Sequence, residues 1–141
     1  MNKGHMVAAL AAICWGYVYA QAENILEKMP PIAALASFYV FGGIILFPLF
    51  LINKKEIFNA VTTDTSNFFS MAIMTMVAEF LIIWSISILG GSEAAFMEIS
   101  YPIWTVLFSL IIFGSVPNIQ VIFGGILIMV GSYIISKFSG N

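Results

Sequence analysis

The residues whose type and setting could do chemistry are two carboxylates inside long apolar runs, Glu79 and Glu98. Glu98 lies in the run 92–114, with Pro102 one helical turn beyond it. Proline has no N–H, so in a continuous helix the carbonyl four residues back, that of Glu98 itself, loses its partner. Hydrocarbon offers no water in exchange, so the freed carbonyl and the acidic side chain must face other helices or a hydrated cavity. Ionised at depth, each carboxylate costs roughly 2.5–3.5 kcal/mol on an insertion scale. A buried salt bridge cannot offset this, because the chain has no arginine and none of its five lysines, Lys3, Lys28, Lys54, Lys55 and Lys137, falls mid-span. Protonation, a bound cation, or hydrogen bonds from Tyr and Trp are the remaining partners.

Aromatic side chains accompany these acids. Trp15, Tyr19 and Glu23 are spaced four apart, which places them on one face of a helix. Tyr101 and Trp104 follow Glu98, and Trp84 follows Glu79. Such rings can line a pocket and hold an organic cation or flat ligand by cation–π contact, although packing and interfacial anchoring are the commoner uses of membrane aromatics. Glu23 sits near a membrane edge, where a solvated interfacial role is the simpler reading. Glu27, Glu56, Asp64 and Glu93 fall in loops or at span ends and are most simply solvated. His5 stands alone, Cys14 has no histidine near it and reads as packing, and no His, Cys or carboxylate cluster has metal-ligand spacing. No serine nucleophile motif and no glycine-rich phosphate loop is present, so neither an enzyme nor a cofactor is expected.

The elements that must position these groups are transmembrane helices. Of the 141 residues, 61% are hydrophobic and 9% charged, against a charged share of roughly 25% in soluble domains. The lysines form no patch that could hold nucleic acid. Five apolar segments, at about residues 6–22, 31–53, 68–89, 92–114 and 120–137, are each near the ~20 residues needed to cross a bilayer as a helix. The expected fold is therefore an all-α integral membrane bundle of five spans. Tight turns are marked by Pro30 and Pro31, by Gly90 and Gly91, and by Pro117 and Asn118, so consecutive spans are antiparallel neighbours. Only the connection 54–67 is long, and its amphipathic first half suits a short interfacial helix.

Folding back at Gly90 and Gly91 sets Glu79 opposite Pro102 and Glu98 opposite Ile83, an axial offset of about 6 Å, so the two acids are expected to share a cavity without touching. The first segment ends in Ala20, Gln21, Ala22, a small-x-small pattern that also suits a cleaved leader. Because the sequence begins at Met1 and the segment carries the Trp15, Tyr19, Glu23 stripe, a spanning helix is expected instead. Three lysines on the side of the N-terminus against two on the other favour a cytoplasmic N-terminus.

Several of these features together resemble one repeat of the drug/metabolite transporter superfamily, in its EamA-like branch: Trp15 and Gly16 in the first span, the proline-initiated second span, and the order Ser92, Pro102, Gly114, Gly124, Gly125, Gly131. The resemblance covers nearly the whole chain. Most members of the branch carry two such repeats in ten helices, whereas this chain is similar to the five-helix bacterial and archaeal group with one. It departs from the family in two places. The basic residue common in the second span is absent around Ser37, Phe38 and Tyr39, and the glutamate that usually follows the fourth span is replaced by Gly114, Ser115, Val116 and Pro117.

The resemblance implies a multi-pass protein of the cell membrane, the inner membrane in bacteria, that moves a small organic metabolite or drug-like solute by alternating access. The class-level alternative is a non-transporting membrane subunit that binds a partner through its glycine faces. Transporters built this way rock one inverted repeat against another, and one five-helix copy lacks its partner repeat. A homodimer would supply it. Antiparallel insertion is favoured, since the lysine asymmetry is only one residue, and a parallel dimer stays open. Gly124 and Gly131, seven apart with Gly125 and Ser132 beside them, suit close backbone approach either between protomers or within one; Gly42 and Gly43 admit the same two readings. A carboxylate that holds a proton on one side of the membrane and exchanges it for a solute on the other suits proton coupling, with Glu98 first and Glu79 second. The competing reading is two structural glutamates that never titrate in use.

Overall fold

The structure, a computed structural model, describes residues 3–116 and 118–138. Among them there are only helices and no strand. In order these are α1 (Lys3–Leu26), α2 (Pro31–Ile52), α3 (Lys54–Thr63), α4 (Thr65–Leu89), α5 (Gly91–Glu98), α6 (Tyr101–Phe113) and α7 (Ile119–Phe138). Local chemistry sets the boundaries. Pro31 opens α2 in the first turn, where its missing N–H costs nothing. Asp64 caps α4 by accepting from the Asn67 N–H at 3.4 Å and from Asn67 Nδ2 at 2.7 Å. The expected interfacial segment is α3, which buries no residue. Of the turn expected at Pro117 and Asn118, Pro117 lies outside the described residues, while Asn118 Oδ1 accepts the Gln120 N–H at 3.1 Å at the start of α7.

Among the described residues four helical stretches are long and apolar enough to cross a membrane: Pro31–Ile52, Thr65–Leu89, Gly91–Phe113 and Ile119–Phe138. The expected first span falls in α1, which is not among them. With 24 residues α1 extends about 36 Å, enough to cross, but Trp15, Gly16, Tyr17, Tyr19, Gln21 and Glu23 make it less apolar than the others.

The stretch Gly91–Phe113, read from the sequence as one span with a kink at Pro102, is interrupted by a tight turn at Ile99 and Ser100, whose backbone stays in the helical region. It divides into α5 and α6 at Ile99 and Ser100. Proline restrains the residue before it and offers no donor to the Glu98 carbonyl, so the helix closes and restarts. The Ser100 N–H donates to Met97 O at 3.3 Å and the Ile103 N–H to Ser100 O at 3.2 Å, three-residue closures on each side of the break. Pro102 then sits in the first turn of α6.

Side chains buried between helices are mostly small. Ala22, Ala34, Gly91, Ala94, Gly125 and Ser132 are buried, while nearly all large apolar residues are exposed. In lipid there is no hydrophobic drive between helices, and close backbone approach with polar contacts holds them together. One buried cluster joins Tyr19, Ala22, Ile86 and Ala94 across α1, α4 and α5; a second joins Ala34, Leu35 and Ile83 across α2 and α4. The α7 helix packs on α5 and α6.

Candidate functional site

The α1 stripe organises the site. Tyr19 is buried, and its ring centroid lies 6.2 Å from that of Trp15 at a tilt of 57°. Its hydroxyl donates to Glu98 Oε2, so Glu98, at the end of α5, is tied to α1. One turn further on, Glu23 Oε2 accepts the Gly91 N–H at 2.9 Å. That N–H belongs to the first turn of α5, where amides have no partner inside the helix and a carboxylate is favoured by the helix dipole. The two helices touch here: a Cβ at Gly91 would lie 2.5 Å from the Tyr19 carbonyl oxygen. Gly90, with φ of +84°, makes the turn that brings α5 back against α1. From the other side, Ser132 Oγ on α7 donates to the Phe96 carbonyl at 2.8 Å.

A groove of about 900 Å³ runs between α1, α2 and α4. Its lining is mostly apolar and aromatic, with Trp15, Tyr19, Phe38 and Tyr39 among the rings and Glu79 as its one acid. Gly42 and Gly43 also border it, and a Cβ at either would meet nothing within 4 Å. Glu79 is half-buried in α4 and within electrostatic reach of Tyr39. Among the described residues no hydrogen bond or ion pair reaches its carboxylate. The volume lies in the range of cavities that take drug-sized molecules.

The sequence profile of the EamA-like transporter family matches residues 2–137. The chain belongs to that family. No curated protein and no solved structure is matched. Family and helices together make it a multi-pass membrane protein, in a family of membrane transporters of small solutes.

Within this EamA-like chain the expected site residues separate into three groups. Trp15, Tyr19 and Glu79 meet at the groove. Glu98 and Glu23 lie outside it and are spent on Tyr19 and on Gly91. Tyr101 and Trp104 are exposed on α6 and do not join the groove. The two acids expected to share one cavity are thus on either side of Tyr19, which lines the groove with its ring and reaches Glu98 with its hydroxyl. The packing of α5 on α1 is the physical reason, because it brings Glu98 at the end of α5 within reach of the Tyr19 hydroxyl.

The glycine face of α7 also divides. Gly125 packs inside the protomer, where a Cβ would lie 3.0 Å from Ile103 Cγ1, whereas a Cβ at Gly124 or Gly131 meets nothing within 4 Å. Tyr39 and the Glu23 to Gly91 contact were not anticipated. A hydroxyl in the otherwise apolar middle of α2 was the available signal for the first. Nothing short of the packing of α1 on α5 signalled the second.

Proposed function

We propose that the chain is a secondary active transporter for a small organic solute, working by alternating access with proton coupling. The observation that carries this is the aromatic groove between α1, α2 and α4, whose wall, Tyr19, is hydrogen-bonded to a carboxylate at the end of α5. Glu98 is then the coupling group, linked through Tyr19 to whatever fills the groove, and α5, hinged at Gly90 and at Ser100, is the element that moves with it. In this reading α1 completes a single unit of five spans, with the N-terminus in the cytoplasm, and a second copy, inserted antiparallel, supplies the missing repeat. Gly124 and Gly131 are the contact face of that dimer.

Coupling is tested in proteoliposomes under an imposed pH gradient, with labelled amino acids, nucleosides and aromatic amines as solutes. Glutamine keeps the shape of glutamate and removes its titration. Glu98→Gln is expected to assemble normally, lose gradient-driven flux of the transported solute and keep exchange at equal pH. Full gradient-driven flux in both Glu98→Gln and Glu79→Gln would leave these acids as structural groups, whereas no flux of any solute by the unaltered chain would favour a non-transporting subunit.

Span number is tested by labelling cysteines at His5 and Lys54 in intact cells. If α1 crosses, the two positions lie on one side in every copy, so a chain carrying both cysteines is labelled at both or at neither, whichever way the copies insert. Opposite sides would remove α1 from the membrane-crossing set.

A further inference from the structure

The short helix α3 contributes nothing to the groove or to the α1 stripe, yet the chain passes through it without slack. At one corner the Asn53 N–H donates to Leu49 O at 3.1 Å, while Asn53 O accepts the Ile57 N–H at 3.0 Å. At the other the Asp64 N–H donates to Ala60 O at 3.3 Å, while Asp64 O accepts the Phe68 N–H at 3.0 Å. A single residue therefore separates α3 from α2 and from α4, both long and apolar enough to cross a membrane, so both of its ends hold it at the bilayer surface. At about 100° per residue, Ile57, Phe58 and Val61 share one arc of α3, and Lys55, Asn59 and Thr62 lie on the other. Ile57 and Val61 are half-buried where α3 rests on α4 and α2, whereas Phe58 is 69% exposed. The Thr62 and Thr63 hydroxyls donate to the carbonyls of Phe58 and Asn59 at 2.9 and 2.7 Å, so the last turn asks little of water.

The same helix ties two ends that are otherwise loosely held. The α2 and α4 helices meet at Ala34, Leu35 and Ile83, far along both from α3. Toward α3, residues 43–52 of α2 are all exposed, as are residues 65–78 of α4 apart from Ala72. We infer that α3 is a spacer seated in the bilayer: the Phe58 ring enters the acyl layer, and the helix so held fixes the separation of α2 and α4 at this end. Position and charge decide the occupant. The exposed apolar surface of α2 runs to Ile52, and Phe58 continues it within the same layer, from which a water-soluble partner would have to draw the ring. Lys54 and Lys55 are balanced by Glu56 and Asp64, so attraction to anionic headgroups does not seat the helix and apolar insertion does. Because α2 carries Tyr39 and α4 carries Glu79, this spacing bears on the width of the groove between them. The inference stands apart from the transport reading.

The test uses the full chain with Cys14→Ala and one nitroxide at position 55, 58 or 59, in phosphatidylcholine vesicles with and without phosphatidylglycerol. Power saturation compares collisions with oxygen, which concentrates in the acyl layer, and with a nickel chelate, which stays in water. Oxygen is expected to dominate at position 58 and nickel at 55 and 59, in both lipid mixtures and at high salt. A nitroxide pair at positions 51 and 71, in labelled chain diluted with unlabelled chain, reads the spacing of α2 and α4 by double electron–electron resonance. Phe58→Asn should broaden that distance distribution, while Phe58→Leu and Asn59→Gln should leave it unchanged. If Phe58→Asn fails to assemble, Phe58→Ala takes its place with the same expectation.

Nickel dominating at position 58 would place the ring in water and overturn the seating. Shielding of position 58 from both reagents would mark a second copy or another protein as its cover, with the same result. Release at high salt, or seating only with phosphatidylglycerol, would make the contact electrostatic and overturn apolar insertion. An unchanged distance distribution in well-assembled Phe58→Asn would overturn the spacer role. None of these outcomes alters solute flux as the measure of the transport reading.

Discussion

The two halves of the stretch Gly91–Phe113 are built on different principles. The α5 half has eight residues and is held by polar contacts from both flanking helices: Glu23 at its first amide, Tyr19 at its terminal carboxylate and Ser132 at the Phe96 carbonyl. The α6 half has 13 residues, buries none of them and leans on α7 through the contact of Ile103 with Gly125. Pro102 separates the two and relieves α5 of having to follow α6. Specificity in such a chain lies in its few polar contacts. Directional hydrogen bonds position the half-helix that carries Glu98, whereas the fit of Ile103 against Gly125 positions the other half.

The seating of α5 on α1 depends most on Gly91. A methyl group there would meet the Tyr19 carbonyl at 2.5 Å, and because that obstacle is backbone, α5 must move off α1. Gly91→Ala is expected to destabilise the chain by roughly 3 kcal/mol, at the upper end of overpacking costs. It should also separate the Glu23 and Tyr19 contacts from their partners. Gly16→Ala, where a Cβ meets nothing within 4 Å, is the matched control and should be neutral or gain up to about 1 kcal/mol from helix propensity. Thermal unfolding in detergent, followed by tryptophan fluorescence, reads both. Equal stability of the two variants would mean that α5 is not seated on α1.

Much of this architecture was legible in the residues. Apolar runs near the length of a crossing helix gave the helical segments, and Pro31, Gly90 and Pro102 marked where they begin, turn and break, because the chemistry of those residues acts on their own backbone. The spacing of Trp15, Tyr19 and Glu23 gave a shared face for the same reason. What stayed hidden depended on which helices meet. Glu98 could be placed at depth but not assigned to Tyr19, since that contact needs α5 laid against α1. Glu79 could not be told from Glu98 by depth, and only the groove between α1, α2 and α4 distinguishes a carboxylate facing space from one already bonded. In lipid the apolar residues point everywhere, so the periodicity that reveals a core in water carries little information here.

A smaller effect is expected on α7. Gly125 and Gly131 lie on the same helix and have the same chemistry, yet only Gly125 touches α6. Gly125→Leu should therefore push Ile103 away and lower protomer stability by about 1–3 kcal/mol. Gly131→Leu adds its bulk in open space within the protomer and should leave unfolding of the isolated chain nearly unchanged. If the open side of α7 is where a second copy approaches, the same change should shift the monomer–dimer equilibrium toward monomer in sedimentation and cross-linking, because bulk at a small-residue interface keeps the backbones apart. Loss of protomer stability in Gly131→Leu would show that this side packs within the chain. An unchanged dimer in a stable Gly131→Leu variant would move the interface elsewhere, with the exposed Tyr101 and Trp104 side of α6 the next surface to probe.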